Sequence, residues 1–278
     1  MTTIVTGTTT NQVPFARVGE RPTMVVLNGG QGFVRQSSPE RLERDARRMA
    51  KVLPRGRSFV LLNYRPDPPA GLSIDDVTFA TSLAVAETAP DQPLDLIGVS
   101  YGGMVACRLA AARPAAFRRM VLLASGERFS PAGAAHIARQ IACLEAGDVT
   151  GFTRAFGRLF RRRPYNWLMT AMIRLGGDRV ARGMAPGPSI VRYLTAMLEA
   201  PRVELARIST PTLVIGGARD QFFGDGSMEE TAAAIPGADL RAFADETHMA
   251  PIEIADAVAK EITLFLGDPD DVEHAAGY

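Results

Sequence analysis

The sequence predicts an α/β fold built on a mostly parallel, doubly wound sheet, and three observations carry that expectation. Short β-rich apolar runs alternate with amphipathic helical patterns along most of the 278-residue chain. Several of those runs are apolar throughout, as central strands covered on both faces are. The alternation stops after position 124 and resumes at 212, with only helical patterns and Gly/Pro punctuation between. Such an interruption reads as a helical cap inserted before the penultimate strand.

The elements follow in order. Weak strands at 3–6 and 13–18 suit an antiparallel edge pair, and stronger ones lie at Met24–Leu27, 59–63, Leu94–Val99, 120–124, 212–216 and 240–244. Helical patterns at 39–52, Ile74–Thr88, 104–112 and 228–235 connect them. In the interruption the helical runs are 133–145, 152–160 and 190–198, with punctuation at 183–188. The expected division is a core of 1–125 and 208–278 with a cap of 126–207. The cap is electrostatically distinct, with 13 arginines against 6 acids, whereas the rest of the chain is net acidic.

Composition excludes several classes. Apolar residues make up 46% and charged ones 22%, enough for a large core and against wholesale disorder. The 31 basic and 30 acidic residues nearly cancel, which argues against nucleic-acid binding or a membrane-surface role. No apolar run approaches the roughly 18–20 residues of a membrane span, and the first twenty residues do not read as a signal peptide. A cytoplasmic location is expected. Cys107 and Cys143 are too few for a disulfide framework or a cysteine metal site, and no metal or cofactor is called for.

The most informative segment is Gly98-x-Ser100-x-Gly102, fed by the apolar run Leu94–Val99 and followed by a helical pattern with Ala106, Ala110 and Ala111. A bare match to this pattern is weak evidence. Its strand–turn–helix setting strengthens it, because a tight turn there holds a strained serine out at the sheet edge, on a helix N-terminus. A serine hydroxyl needs a base. Of the three histidines, His136 lies in the cap and reads as structural, and His274 sits in a polar tail. His248 follows the last strand and so reaches the same edge as Ser100. A carboxylate must orient that base; Asp220, just beyond the strand at 212–216, is the leading candidate, with Asp225, Asp245, Glu246 and Glu127 as competitors. The segment Leu27–Asn28–Gly29–Gly30–Gln31–Gly32 follows the first strong strand. It offers backbone donors for an oxyanion hole, pairing the Gly30 N–H with that of Tyr101.

From about Pro22 to Leu266 the sequence resembles the α/β-hydrolase superfamily, whose chain order of nucleophile, acid and base matches Ser100, Asp220 and His248. Asn28 stands where the family's His-Gly-Gly-x-Gly element has histidine. Asn63–Tyr64–Arg65–Pro66–Asp67–Pro68–Pro69 stands where many relatives have an Asp-x-x-Gly-x-Gly turn, and Thr247 replaces the glycine before the family's histidine. The resemblance implies an α/β-hydrolase fold and a serine hydrolase that cleaves a carboxylic ester, thioester or lactone through an acyl-enzyme. The serine argues against dehalogenase and epoxide-hydrolase relatives, which use an aspartate. Three rivals stay open: an acyltransferase fed by an acyl carrier or coenzyme A ester, a C–C bond hydrolase or cofactor-free lyase using the same triad, and a non-catalytic ligand-binding relative. A small-molecule acyl substrate is the expected partner.

Other residues have plainer readings. Gly30-x-Gly32 lacks the third glycine of a phosphate loop. Cys107 reads as packing, and Arg161–Arg162–Arg163 as a solvated helix end, with attraction of an anionic substrate as the sharper alternative. Tyr165, Trp167, Met169 and Met172 read as cap core or as the wall of an acyl pocket.

Overall fold

The computed structural model of the chain describes residues 3–91, 93–154 and 159–267. Its strands are β1 (Ile4–Thr8), β2 (Pro14–Val18), β3 (Met24–Leu27), β4 (Phe59–Leu62), β5 (Leu94–Val99), β6 (Phe117–Leu123), β7 (Thr212–Gly217) and β8 (Asp239–Phe243). The helices are α1 (Gln31–Val34), α2 (Pro39–Met49), α3 (Ile74–Thr88), α4 (Tyr101–Ala112), α5 (Pro131–Glu145), α6 (Val149–Arg154), α7 (Arg163–Arg182), α8 (Gly187–Leu198), α9 (Ser227–Ala234), α10 (Ala250–Glu253) and α11 (Ala255–Leu266).

Among the described residues the strands form one eight-stranded sheet in the order β1-β2-β4-β3-β5-β6-β7-β8. The β1–β2 and β2–β4 pairs are antiparallel, and all other pairs are parallel. This is the predicted fold class. Side chains alternate between the two faces, as the period of two requires. Val25, Leu27, Leu96 and Leu122 join the core beneath α3, α4 and α9. Met24, Val26, Ile97 and Val121 join the core beneath α2 and α11. The strands from β3 to β6 are buried almost throughout, which is why they read as unbroken apolar runs.

Local signals set the helix starts. Ser38 caps α2 by accepting the Arg41 N–H, and Pro39 supplies the fixed φ that suits a first turn. Ser73 and Asp76 form a reciprocal capping box on α3. Ser130 accepts the Gly133 N–H ahead of Pro131 at the start of α5.

Two expectations need correction. The helical run read as 104–112 begins at Tyr101, because the turn at Ser100 passes straight into the helix. The 20-residue α7 was not anticipated, since Gly176 and Gly177 interrupt its pattern, and Arg163 opens that helix instead of ending one. Of the run read as 152–160, α6 covers 149–154, while 155–158 and His274 lie outside the described residues.

Helices α5 to α8 lie between β6 and β7 in the chain. Ile137, Phe152, Tyr193, Leu194 and Met197 belong to the same apolar cluster as α3 and α4. The chain winds from β3 to β4 on one side and then returns to place β5 on the other side of β3. The loops after β3 and β5 therefore diverge at a topological switch point, where open α/β sheets bind ligands.

Candidate active site

Ser100 has φ 51° and ψ −117°, a backbone state that costs a non-glycine residue about 1–3 kcal/mol. Its surroundings enforce it. The Ser100 N–H donates to the Leu123 carbonyl at 2.9 Å, and its carbonyl accepts from the Gly103 N–H at 2.9 Å and the Ser125 hydroxyl at 2.5 Å. A Cβ at Gly98 would fall 2.5 Å from the Gly103 Cα, and one at Gly102 would fall 2.2 Å from the Leu27 carbonyl oxygen. Strand and helix can meet this closely only through glycines at those two positions. Tyr101 is the first residue of α4, so its N–H has no intrahelical acceptor.

Asp220 follows β7 and is almost fully buried. Its Oδ1 accepts the Phe222 and Phe223 N–H groups at 2.7 and 3.0 Å. Its Oδ2 lies 2.7 Å from His248 Nδ1, and the His248 N–H donates to Gln221 Oε1 at 3.2 Å. A buried carboxylate at Nδ1 favours the tautomer that carries its proton there, which leaves Nε2 as an acceptor. The competing acids are engaged elsewhere. Asp245 pairs with Arg219 at 3.2 Å, Glu246 with Arg161 at 3.0 Å, and Glu127 accepts the Val203 N–H at 3.0 Å. Asp225 is exposed, at positive φ.

The loop after β3 is shaped by the residues that depart from the family pattern. Asn28 Oδ1 accepts the Gly29 N–H at 2.9 Å, and its Nδ2 donates to Asn63 Oδ1 at 2.7 Å. Asn63 Nδ2 donates to Ser37 Oγ at 3.1 Å, and the Tyr64 hydroxyl donates to the Asn28 carbonyl at 2.5 Å. The two departures, 35 residues apart, thus contact each other. The sequence offered no signal for that pairing. Gly30 is the N-cap of α1; its carbonyl accepts from Phe33 and Val34, while its own N–H is unclaimed among the described residues.

Gly30, Ser100, Tyr101 and His248 line one cavity of about 250 Å³. Its lining also includes Phe129, Ile137, Phe152 and Leu194, together with Met49 and Ile252. The Tyr101 side chain points away from this chemistry, packing edge-on against Phe33 and Tyr64, and burial pushes its phenol well above the usual range. Trp167 and Tyr165 do not line the cavity and are 73% and 41% exposed; the side chains of Met169 and Met172 lie outside the described residues. Arg161 is tied to Glu246, while the Arg161 and Arg162 N–H groups donate to Glu253 at 2.7 and 3.0 Å. Thr247, in place of a glycine, donates to the Leu159 carbonyl at 2.6 Å. The loop that carries His248 therefore also grips the segment 159–162. Among the described residues no cluster of three His, Cys, Asp or Glu side chains is arranged to hold a metal, and no helix is long and apolar enough to cross a membrane.

A model of the Alpha/beta hydrolase family matches residues 23–261. The chain belongs to that family. It is 24% identical over 257 residues to the polyketide synthase ThaQ of Burkholderia thailandensis, which covers 83% of this chain and 11% of that protein. It is 27% identical over 176 residues to the "Putative carbamate hydrolase RutD" of Stutzerimonas stutzeri, covering 62% of this chain and 65% of that one. The chain thus spans about a tenth and about two thirds of these two relatives. Among solved structures it is similar to MGS-M2, an alpha/beta hydrolase enzyme from a Medee basin deep-sea metagenome library. That match has a TM-score of 0.77 at 14% identity, over 92% of this chain and 94% of the other.

Proposed function

We propose that this α/β-hydrolase cleaves a carboxylic ester, or a related thioester or lactone, through an acyl-enzyme on Ser100. The observation that carries this reading is the 2.7 Å contact of a buried Asp220 with His248, lining the same cavity as a serine held at φ 51°. His248 Nε2 takes the Ser100 proton as Oγ attacks the substrate carbonyl, and Asp220 stabilises the resulting imidazolium. The oxyanion is received by the Gly30 and Tyr101 N–H groups, each donor of this kind being worth about 10²–10³ in kcat. His248 then passes its proton to the leaving alcohol or thiol. Water activated by the same imidazole attacks the acyl-enzyme and restores Ser100 Oγ–H.

The similarity to part of a polyketide synthase supports a second reading. There a carrier or coenzyme A thioester supplies the acyl group, and an alcohol or amine takes it in place of water. The test is a panel of aryl esters and acyl thioesters, with and without added alcohol, on wild type and Ser100→Ala. Turnover that disappears in Ser100→Ala supports the acyl-enzyme. Product that shifts from acid to ester as alcohol rises favours the transferase, and turnover that survives Ser100→Ala overturns both.

A further inference from the structure

Helix α5 turns one buried strip inward, Gly133, Ile137 and Gln140, at the spacing of a helical face. Its first residues sit directly over the loop that holds Asp220, where the Ser130 N–H donates to the Phe222 carbonyl at 2.9 Å. Ile137 and Gln140 line the cavity. Gln140 is only 3% exposed, and its Nε2 has no hydrogen-bond partner among the described residues. The same cavity is lined by the apolar side chains of Phe129, Ile137, Phe152, Leu194 and Met197. One turn earlier, His136 Nε2 is likewise buried and without a partner among the described residues, on the same side of the helix. The His136 ring stands edge-on to Phe222, which stands edge-on to His248, at 4.9 and 4.8 Å between centroids.

A carboxamide buried in apolar surroundings without a partner is costly, and a leucine or methionine would occupy the same place without that penalty. The penalty is removed when a bound molecule brings a polar atom to it. An amide can present either end by a half rotation, so it serves a ketone oxygen as donor and a hydroxyl as donor or acceptor.

We propose that the Gln140 carboxamide binds an oxygen carried on the acyl chain, so that the preferred acyl group is an oxo- or hydroxyacyl chain and not a plain alkyl one. This substrate class rests on the hydrolase reading for its chemistry; the binding contact itself does not. The first experiment measures Kd for octanoate and for 3-, 5- and 7-oxo-octanoate by calorimetry. It uses Ser100→Ala alone and combined with Gln140→Leu or Gln140→Met. The second compares kcat/KM for the corresponding aryl esters on wild type, Gln140→Leu and Gln140→Met.

At least one oxo isomer is expected to bind tenfold or more tightly than octanoate, and that ratio is expected to fall to about one in both Gln140 substitutions. A ratio near one for every isomer with Gln140 intact, or a preference that survives both substitutions, overturns the proposal. Selective binding without turnover of any ester counts against the hydrolase reading and leaves the Gln140 contact standing. Turnover of all esters without oxo preference does the reverse.

Discussion

At the residue scale, the proposed chemistry depends on one carboxylate doing two things at once. Asp220 Oδ1 is committed to the Phe222 and Phe223 N–H groups, which leaves Oδ2 for His248. Asp220→Asn keeps the shape but cannot hold the same imidazole tautomer or stabilise its charged form. It is expected to lower kcat about 10⁴-fold, with KM little changed, in steady-state kinetics on a responsive ester. Cys107 behaves oppositely to a reactive residue, because burial pushes its thiol up to about 12. Iodoacetamide at pH 8 should modify the half-buried Cys143 and spare Cys107 in native protein, as read by peptide mass spectrometry. The folded thiol holds its proton above the ordinary value of 9.0. Its contribution to stability is therefore complete below that pH and lost as pH rises from there towards 12. The placement of Ser100, Asp220 and His248 at one sheet edge was legible in the sequence because each follows a parallel strand. The Asn28–Asn63 pair and the Thr247–Leu159 contact were not, since they join residues far apart in the chain whose types have many local uses.

At the element scale, the strand-to-helix joint at Ser100 is set by backbone contact. Gly102→Ala drives a methyl into the Leu27 carbonyl. It is expected to lose several kcal/mol of stability, about 3 or more, in urea denaturation, since backbone rather than a flexible side chain must yield. The loop after β8 has a second task. Through Glu246 and Thr247, and with Glu253 at the end of α10, it holds the segment that enters α7. Removing the Glu253 carboxylate frees two backbone donors at 161 and 162 without touching the cavity wall. Glu253→Ala should therefore raise KM for bulky esters severalfold while leaving kcat for small ones close to wild type, in a substrate-size series. Strands β3 to β7 were readable because burial on both faces leaves little but apolar residues. Helix α7 was not readable, because paired glycines and arginines obscure its period. The cavity wall escaped for a different reason. Periodicity marks Ile137 and Gln140 as one face of α5, but not which neighbour that face meets.

At the scale of the whole molecule, the two ends of the sheet have separate tasks. The C-terminal edge carries the cavity, while the opposite end of β5 carries a fully buried Asp95 bonded to Arg57 at 2.6 Å and Arg118 at 2.7 Å. The arginines keep some solvent, so breaking this cluster costs less than a fully buried pair would. Asp95→Ala is expected to lower unfolding free energy by about 2–3 kcal/mol, with specific activity per folded molecule unchanged. Equilibrium denaturation alongside active-site titration checks both halves. Covalent labelling tests most directly whether Ser100 is the activated nucleophile. An alkyl fluorophosphonate is reacted with wild type, Ser100→Ala and His248→Ala, and the adduct is located by peptide mass spectrometry. A single adduct on Ser100, absent from Ser100→Ala and formed at least 10²-fold more slowly in His248→Ala, is the predicted result. No adduct on well-folded wild type, or one on another residue, would contradict it.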